Sequence, residues 1–144
     1  MKRFALDTSC MVAAVCSWHE RHAEAARAIE QRLARREQLT VAAHALVETY
    51  AVLTRLPAPH RLAASDAWTL IRANFVERSA VVALESDAHV SLLGRLAASN
   101  VAGGRSYDAL IAECARHGKA GAILTFNPRH FLPAPEGVVV EEPR

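Results

Sequence analysis

Short apolar runs alternate along this chain with stretches whose apolar residues recur every three or four positions, the two signatures of buried strands and one-sided helices. Phe4-Ala5-Leu6 is the first run, and it stops at Asp7-Thr8-Ser9, as a buried strand does when it leads into a helix cap. Cys10 to Cys16 is small and apolar, and Glu20 to Arg36 carries Ala25, Ile29 and Leu33 at i, i+4 and i+8, so one helix or a helical pair is expected there. Leu39-Thr40-Val41-Ala42 reads as a second strand, followed by a helix from about Ala43 to Leu56 that ends at Pro57-Ala58-Pro59. Arg61 to Phe75 is a third helical region, and Ala80-Val81-Val82-Ala83-Leu84 a β-branched strand. A helix capped by Ser86-Asp87 runs to about Asn100, the loop Val101 to Arg105 follows, and a helix from about Tyr107 to His117 stops at Gly118. Ala122 to Phe126 is a fourth strand broken by Asn127-Pro128, and Val138-Val139-Val140 a fifth at an edge.

Strands and helices that alternate with short links predict a three-layer α/β/α sandwich, a mainly parallel sheet with helices on both faces. Ligands in such folds bind beyond the carboxyl ends of the strands. Asp7 and Asn127 stand at two such ends.

The length of 144 residues, with 51% hydrophobic and 22% charged residues, suits one domain spanning 1–144 and is neither disordered nor low-complexity. The formal charge of +2 is too close to balance for bulk electrostatics to draw nucleic acid, so any basic surface is local. Cys10, Cys16 and Cys114 are odd in number, lie in apolar contexts and show no C-x-x-C spacing, which fits a reducing compartment. The run after Lys2-Arg3 is too short for a signal peptide, and no stretch approaches the ~20 apolar residues of a membrane span. A cytoplasmic protein with no membrane partner is expected.

Three acids stand out. Glu48 is the only acid in Ala42 to Leu53, a segment apolar on nearly every face and therefore expected to be buried on more than one side. A carboxylate there needs a cation, a metal or several donors, unless it lies on one exposed strip or pairs with an arginine. Asp108 opens a helix, where an acid also serves the helix dipole, and Asp7 can cap the helix that follows it. Carboxylates brought together repel, and a divalent metal resolves the conflict. Oxygen ligands select Mg²⁺ or Mn²⁺, which keep waters, bind phosphate and assist phosphodiester hydrolysis.

Leu6-Asp7-Thr8-Ser9, Val47-Glu48-Thr49, Tyr107-Asp108-Ala109-Leu110-Ile111-Ala112 and Thr125-Phe126-Asn127-Pro128-Arg129-His130-Phe131 together resemble a PIN domain, more narrowly the VapC-type toxin of a bacterial toxin–antitoxin pair. The resemblance spans about residues 4 to 131. It implies a metal-dependent endoribonuclease acting on RNA, a homodimer, and a cognate antitoxin that blocks the site. It also implies Asp7 and Asp108 as direct Mg²⁺ or Mn²⁺ ligands and Glu48 as ligand or orienter of the attacking water, with Ser9 and Asn127 in support. Many PIN nucleases carry another acid where this chain has Asn127, whose amide oxygen can ligate the metal or hold a metal-bound water but adds no charge, and this favours one metal over two.

Arg105, Arg129 and His130 are candidates for phosphate contact, whereas Arg32, Arg35 and Arg36 lie among Glu20, Glu24 and Glu30 and read as a solvated face. Other chemistries fit less well. Cys16-x-x-His19-x-x-His22 lacks a fourth zinc ligand, and His19-Glu20-Arg21-His22 is not H-E-x-x-H. An aspartyl-phosphate enzyme wants an acid where Ser9 stands, and a nucleotide-binding loop wants glycines after the first strand. The rival from another class is a non-catalytic α/β scaffold that binds a protein or RNA partner, its acids serving only as caps.

Overall fold

The structure, a computed structural model that describes residues 1–144, contains five strands and six α-helices in near-strict alternation. They are β1 (Arg3–Leu6), α1 (Thr8–Val15), α2 (His22–Ala34), β2 (Gln38–Ala42), α3 (Ala43–Thr54), α4 (Ala64–Ile71), β3 (Ser79–Val82), α5 (Ser86–Ala98), α6 (Arg105–His117), β4 (Ala122–Leu124) and β5 (Val139–Glu141). All neighbouring strands pair in parallel, in the order β3-β2-β1-β4-β5. This is the expected three-layer sandwich, with helices flanking the sheet. β1 is its middle strand, with Phe4 opposite Leu39 on one side and Ala122 on the other.

The order contains a reversal. From β1 the chain steps outward through β2 to β3, then returns across the sheet to place β4 on the other side of β1. Right-handed crossovers put the outward and return helices on opposite faces, which opens a crevice between β1 and β4 at the carboxyl ends of the strands. Directly below it, Phe4, Leu6, Leu39, Ile123 and Leu124 are almost wholly buried, with Met11, Leu53 and Ile111 packed in from the helices. Each contributes about 1.5–3 kcal/mol by leaving water. The walls of the crevice therefore rest on the best-packed part of the molecule.

The early helical region takes the helical-pair form of the two expected, broken between Val15 and His22, whereas several other boundaries differ from the sequence reading. The third region starts at Ala64, later than expected, and its last turn widens into a π-helix over Arg72–Val76, where the Asn74 side chain donates to the Leu70 carbonyl at 2.9 Å. β3 ends at Val82, leaving Ala83 and Leu84 beyond the ladder, and β4 ends at Leu124, so that Thr125 to Asn127 turn out over the crevice into a 3₁₀ turn at Pro128–Phe131. β5 is an edge strand as expected, one residue later. α6 begins at Arg105, which is thus helical and not part of the preceding loop.

α3 requires a larger correction. Its apolar sequence predicts burial on more than one side, yet only Ala45, Thr49 and Leu53 are buried, while Val47 is 68% exposed and Tyr50 also faces solvent. Of the early arginines, Arg35 and Arg36 are exposed as expected of a solvated face, but Arg32 is largely buried and pairs with Glu37 at 2.9 Å and Glu141 at 2.5 Å, while Glu30 pairs with Arg78 at 2.8 Å. All three cysteines are buried and unpaired, and burial pushes the Cys114 thiol up to about 11, which keeps it protonated at neutral pH. No helix is long and apolar enough to cross a membrane.

Candidate active site

The crevice between β1 and β4 collects the residues singled out by sequence. Asp7 follows β1 directly and is 3% exposed. Its Oδ1 accepts from the Cys10 backbone N–H at 3.0 Å and from the Ser9 hydroxyl at 2.7 Å, while Oδ2 accepts from the Thr125 hydroxyl at 2.6 Å. Cap and candidate acid are thus the same side chain: one oxygen starts α1, and the other ties β1 to β4. Burial pushes the Asp7 pKa up, against the pull of these donors and with help from the nearby charge of Asp108. An ionised Asp7 therefore carries unrelieved electrostatic cost.

Asp108 sits in the first turn of α6, but the cap residue is Gly104 and no side chain caps that helix. The carboxylate instead has His130 as its partner, with Nδ1 of the imidazole 3.3 Å from Oδ2. Its pKa is also raised, first by burial and also by Glu48, although His130 and Arg105 pull it down. Glu48 projects from the second turn of α3, where it is half-buried, accepts from the Thr8 hydroxyl, and lies 3.9 Å from His44 Nε2. The three acids thus feel one another across the crevice. They do not close into a cage, since no three His, Cys, Asp or Glu side chains are gathered tightly enough to hold an ion alone.

The supporting residues divide. The Ser9 hydroxyl is committed between Asp7 and the Phe126 backbone N–H, which it accepts at 3.1 Å, so it positions the carboxylate and has no hydrogen left for a substrate. Asn127 is exposed at the start of the 3₁₀ turn, held by its backbone N–H on the Thr125 hydroxyl at 2.9 Å. Arg105 and Arg129 are exposed and adjacent, with the Arg105 guanidinium donating to the Arg129 carbonyl at 3.3 Å. Arg105, Asp108 and His130 stand at one end of an open cleft of about 830 Å³ between α5, α6 and the segment after β4, into which Arg95 and Arg116 also face. Arg95 and Arg116 are paired there with Glu113, at 3.3 and 2.5 Å, which leaves Arg105 as the arginine beside Asp108.

Sequence reasoning missed three participants. Thr125 and Thr8 hold Asp7 and Glu48, and His44 lies one helical turn before Glu48. The i, i+4 spacing of His44 and Glu48 was a readable signal, whereas a threonine ending a strand has no distinctive pattern. The Cys16, His19, His22 trio forms no metal site: His22 Nδ1 is 2.9 Å from the Ala13 carbonyl and His19 Nδ1 accepts from the Arg21 N–H at 3.0 Å.

A five-stranded parallel sheet with carboxylates converging at its topological switch defines the class, and the family model of the PIN domain matches residues 4–134: the chain belongs to the PIN domain family. Within it, the chain is 40% identical over 120 residues to Ribonuclease VapC40 of Mycobacterium tuberculosis, covering 83% of this chain and 82% of that one. It is 39% identical over 116 residues to Ribonuclease VapC27 of the same organism, covering 81% and 79%. Among solved structures it shares its fold with VapBC2 from Rickettsia felis bound to a DNA fragment from their promoter, at a TM-score of 0.68, 17% identity and coverage of 97% of this chain and 98% of that one.

Proposed function

We propose that this protein is an endoribonuclease of the VapC type, the toxin of a toxin–antitoxin pair, and that it hydrolyses RNA phosphodiester bonds with Mg²⁺ or Mn²⁺. The observation that carries the reading is Asp7, a carboxylate nine-tenths buried at the switch of the sheet and held by three donors while Asp108 repels it. A fold does not retain so costly a charge for capping alone, since one oxygen suffices for the cap. The names of the VapC relatives support the ribonuclease activity.

The donor set fits a hard divalent ion. Such ions bind through one or two carboxylates and complete their shells with water and substrate phosphate, so an open arrangement of acids is what they require. Asp7 and Asp108 would hold the ion and Asn127 would face it through water, which favours one ion over two. When bound, it would lower the pKa of an attacking water and neutralise charge on the phosphate. Glu48, fixed by Thr8, would orient the water and accept its proton. The water oxygen would bond to phosphorus as the ester P–O bond breaks, and the leaving oxygen would take up a proton from solvent. Arg105 and Arg129 would bind flanking phosphates.

The pairing in VapBC2 supports a cognate antitoxin as partner, and a homodimer is the assembly we expect. The test is cleavage of a labelled structured RNA with Mg²⁺, with Mn²⁺ and with EDTA, with Asp7→Asn in parallel, together with melting temperature in each condition. Metal-dependent cutting and a metal-dependent rise in Tm, both abolished by Asp7→Asn, support the reading. Neither effect in the wild type would leave a binding scaffold instead.

A further inference from the structure

Tyr107 immediately precedes Asp108 in the first turn of α6, yet it takes no part in the core. It is 51% exposed, and one face of its ring lies on the imidazole of His44, with centroids 4.9 Å apart and planes 15° from parallel. His44 comes from the first turn of α3, and its ring is held between that tyrosine and Glu48, with Nε2 buried and unpaired. The two helices meet here because the crevice draws both of their N-termini to the carboxyl ends of the strands. Tyr107 thus stands beside the acids with one face packed and the other open to water.

An exposed aromatic ring has a hydrophobic cost that a polar residue at the same place would avoid. This one is also pre-oriented, because stacking on His44 limits its rotamers before anything binds. The neighbouring charges select the occupant. Arg105 lies beside Asp108 at the cleft, where Arg95 and Arg116 are paired with Glu113, so a polyanion running past Asp108 would meet the Arg105 cation and an open ring. Successive bases of single-stranded nucleic acid stack on such rings, while arginines take the backbone.

We propose that Tyr107, braced by His44, is a stacking platform for a nucleobase adjoining the scissile phosphate. The proposal rests on the ribonuclease reading above. It assigns Tyr107 to substrate binding and His44 to positioning the ring.

The experiment uses the full chain with Mg²⁺ and a single-stranded oligoribonucleotide whose cut has been mapped, together with versions made abasic at each nucleotide flanking it. Base stacking is worth about 1–3 kcal/mol, so Tyr107→Ala should lower kcat/KM about 5- to 150-fold, mostly through KM, while Tyr107→Phe stays within about twofold of the wild type. One abasic substitution should cost the wild type a similar factor and cost Tyr107→Ala nothing further. Full activity of Tyr107→Ala, or losses that simply multiply, would overturn the platform. A wild type that cuts no RNA would speak against the ribonuclease reading and not against the platform. Quenching of a 2-aminopurine oligoribonucleotide by the metal-free protein then decides: loss of quenching in Tyr107→Ala alone supports stacking, and no quenching by the wild type overturns it.

Discussion

Thr125→Val is the sharpest test of how the crevice is held together. The side chains are nearly isosteric, Thr125 is fully buried, and only the hydroxyl changes. That hydroxyl donates to Asp7 Oδ2 at 2.6 Å and accepts from the Asn127 N–H at 2.9 Å. A hydrogen bond to a charged group contributes about 1.5–3 kcal/mol and a neutral one about 0.5–1.5, so the loss of both should cost about 2–4 kcal/mol. At roughly 3–4 °C per kcal/mol for a chain of this size, Tm should fall by about 6–15 °C in thermal denaturation followed by circular dichroism. In an Asp7→Asn background the same change should cost at least about 1 kcal/mol less, since the charge-assisted bond is already gone. On the proposed role of Asp7 as a metal ligand, the Mg²⁺ concentration for half-maximal cleavage should rise about 10- to 100-fold. A Tm within 2 °C of the wild type, or strictly additive losses, would refute the claim that Thr125 and Asp7 form one unit.

Other expectations concern neighbouring parts of the fold. Gly118→Ala places a Cβ 2.9 Å from Val82 Cγ2 and 3.2 Å from the Cys114 carbonyl, and this crowding should outweigh the entropic gain and destabilise by about 1–2 kcal/mol in urea titration. The Arg116 guanidinium, with Arg95 and His117, holds the Glu113 carboxyl below its usual range. A depressed carboxylate pKa stabilises the fold above the unfolded value and loses that contribution as pH falls through the folded one, so wild type and Glu113→Gln should differ most above the ordinary glutamate pKa of about 4.3 and converge only as pH falls well below it in Tm against pH. Thr8→Val should lower kcat at least about fivefold while moving Tm by less than about 3 °C, because Glu48 is half-exposed and water replaces the lost donor.

The chain made its sheet legible because strands buried on both faces are plain apolar runs: Phe4-Ala5-Leu6, Leu39 to Ala42 and Ala122 to Leu124 all lie where the pattern puts them. Ends were less legible, since Leu84 and Phe126 remain apolar after leaving the ladder in order to pack against the core from loops. The π turn at Arg72–Val76 depends on one asparagine competing for a carbonyl, which periodicity does not register. In the site, Asp7, Glu48 and Asp108 showed themselves as acids in apolar surroundings. Thr8, Thr125 and the His44–Tyr107 stack emerge only once α3, α6 and β4 meet over β1, because each is defined by a partner distant in the chain. α3 marks the opposite limit: an apolar sequence states that a face avoids water, not what covers it.

The return of the chain to place β4 beside β1 also governs when this protein becomes complete. Asp7 and the threonine that fixes it are 118 positions apart, and the middle strand keeps an open edge until residues beyond 120 can reach it. During synthesis the N-terminal two-thirds can assemble β1, β2 and β3 under their helices while the crevice still lacks a wall. A ribosome making this protein would thus carry an unfinished site, with Asp7 lacking the threonine that fixes it, until β4 and Thr125 have emerged.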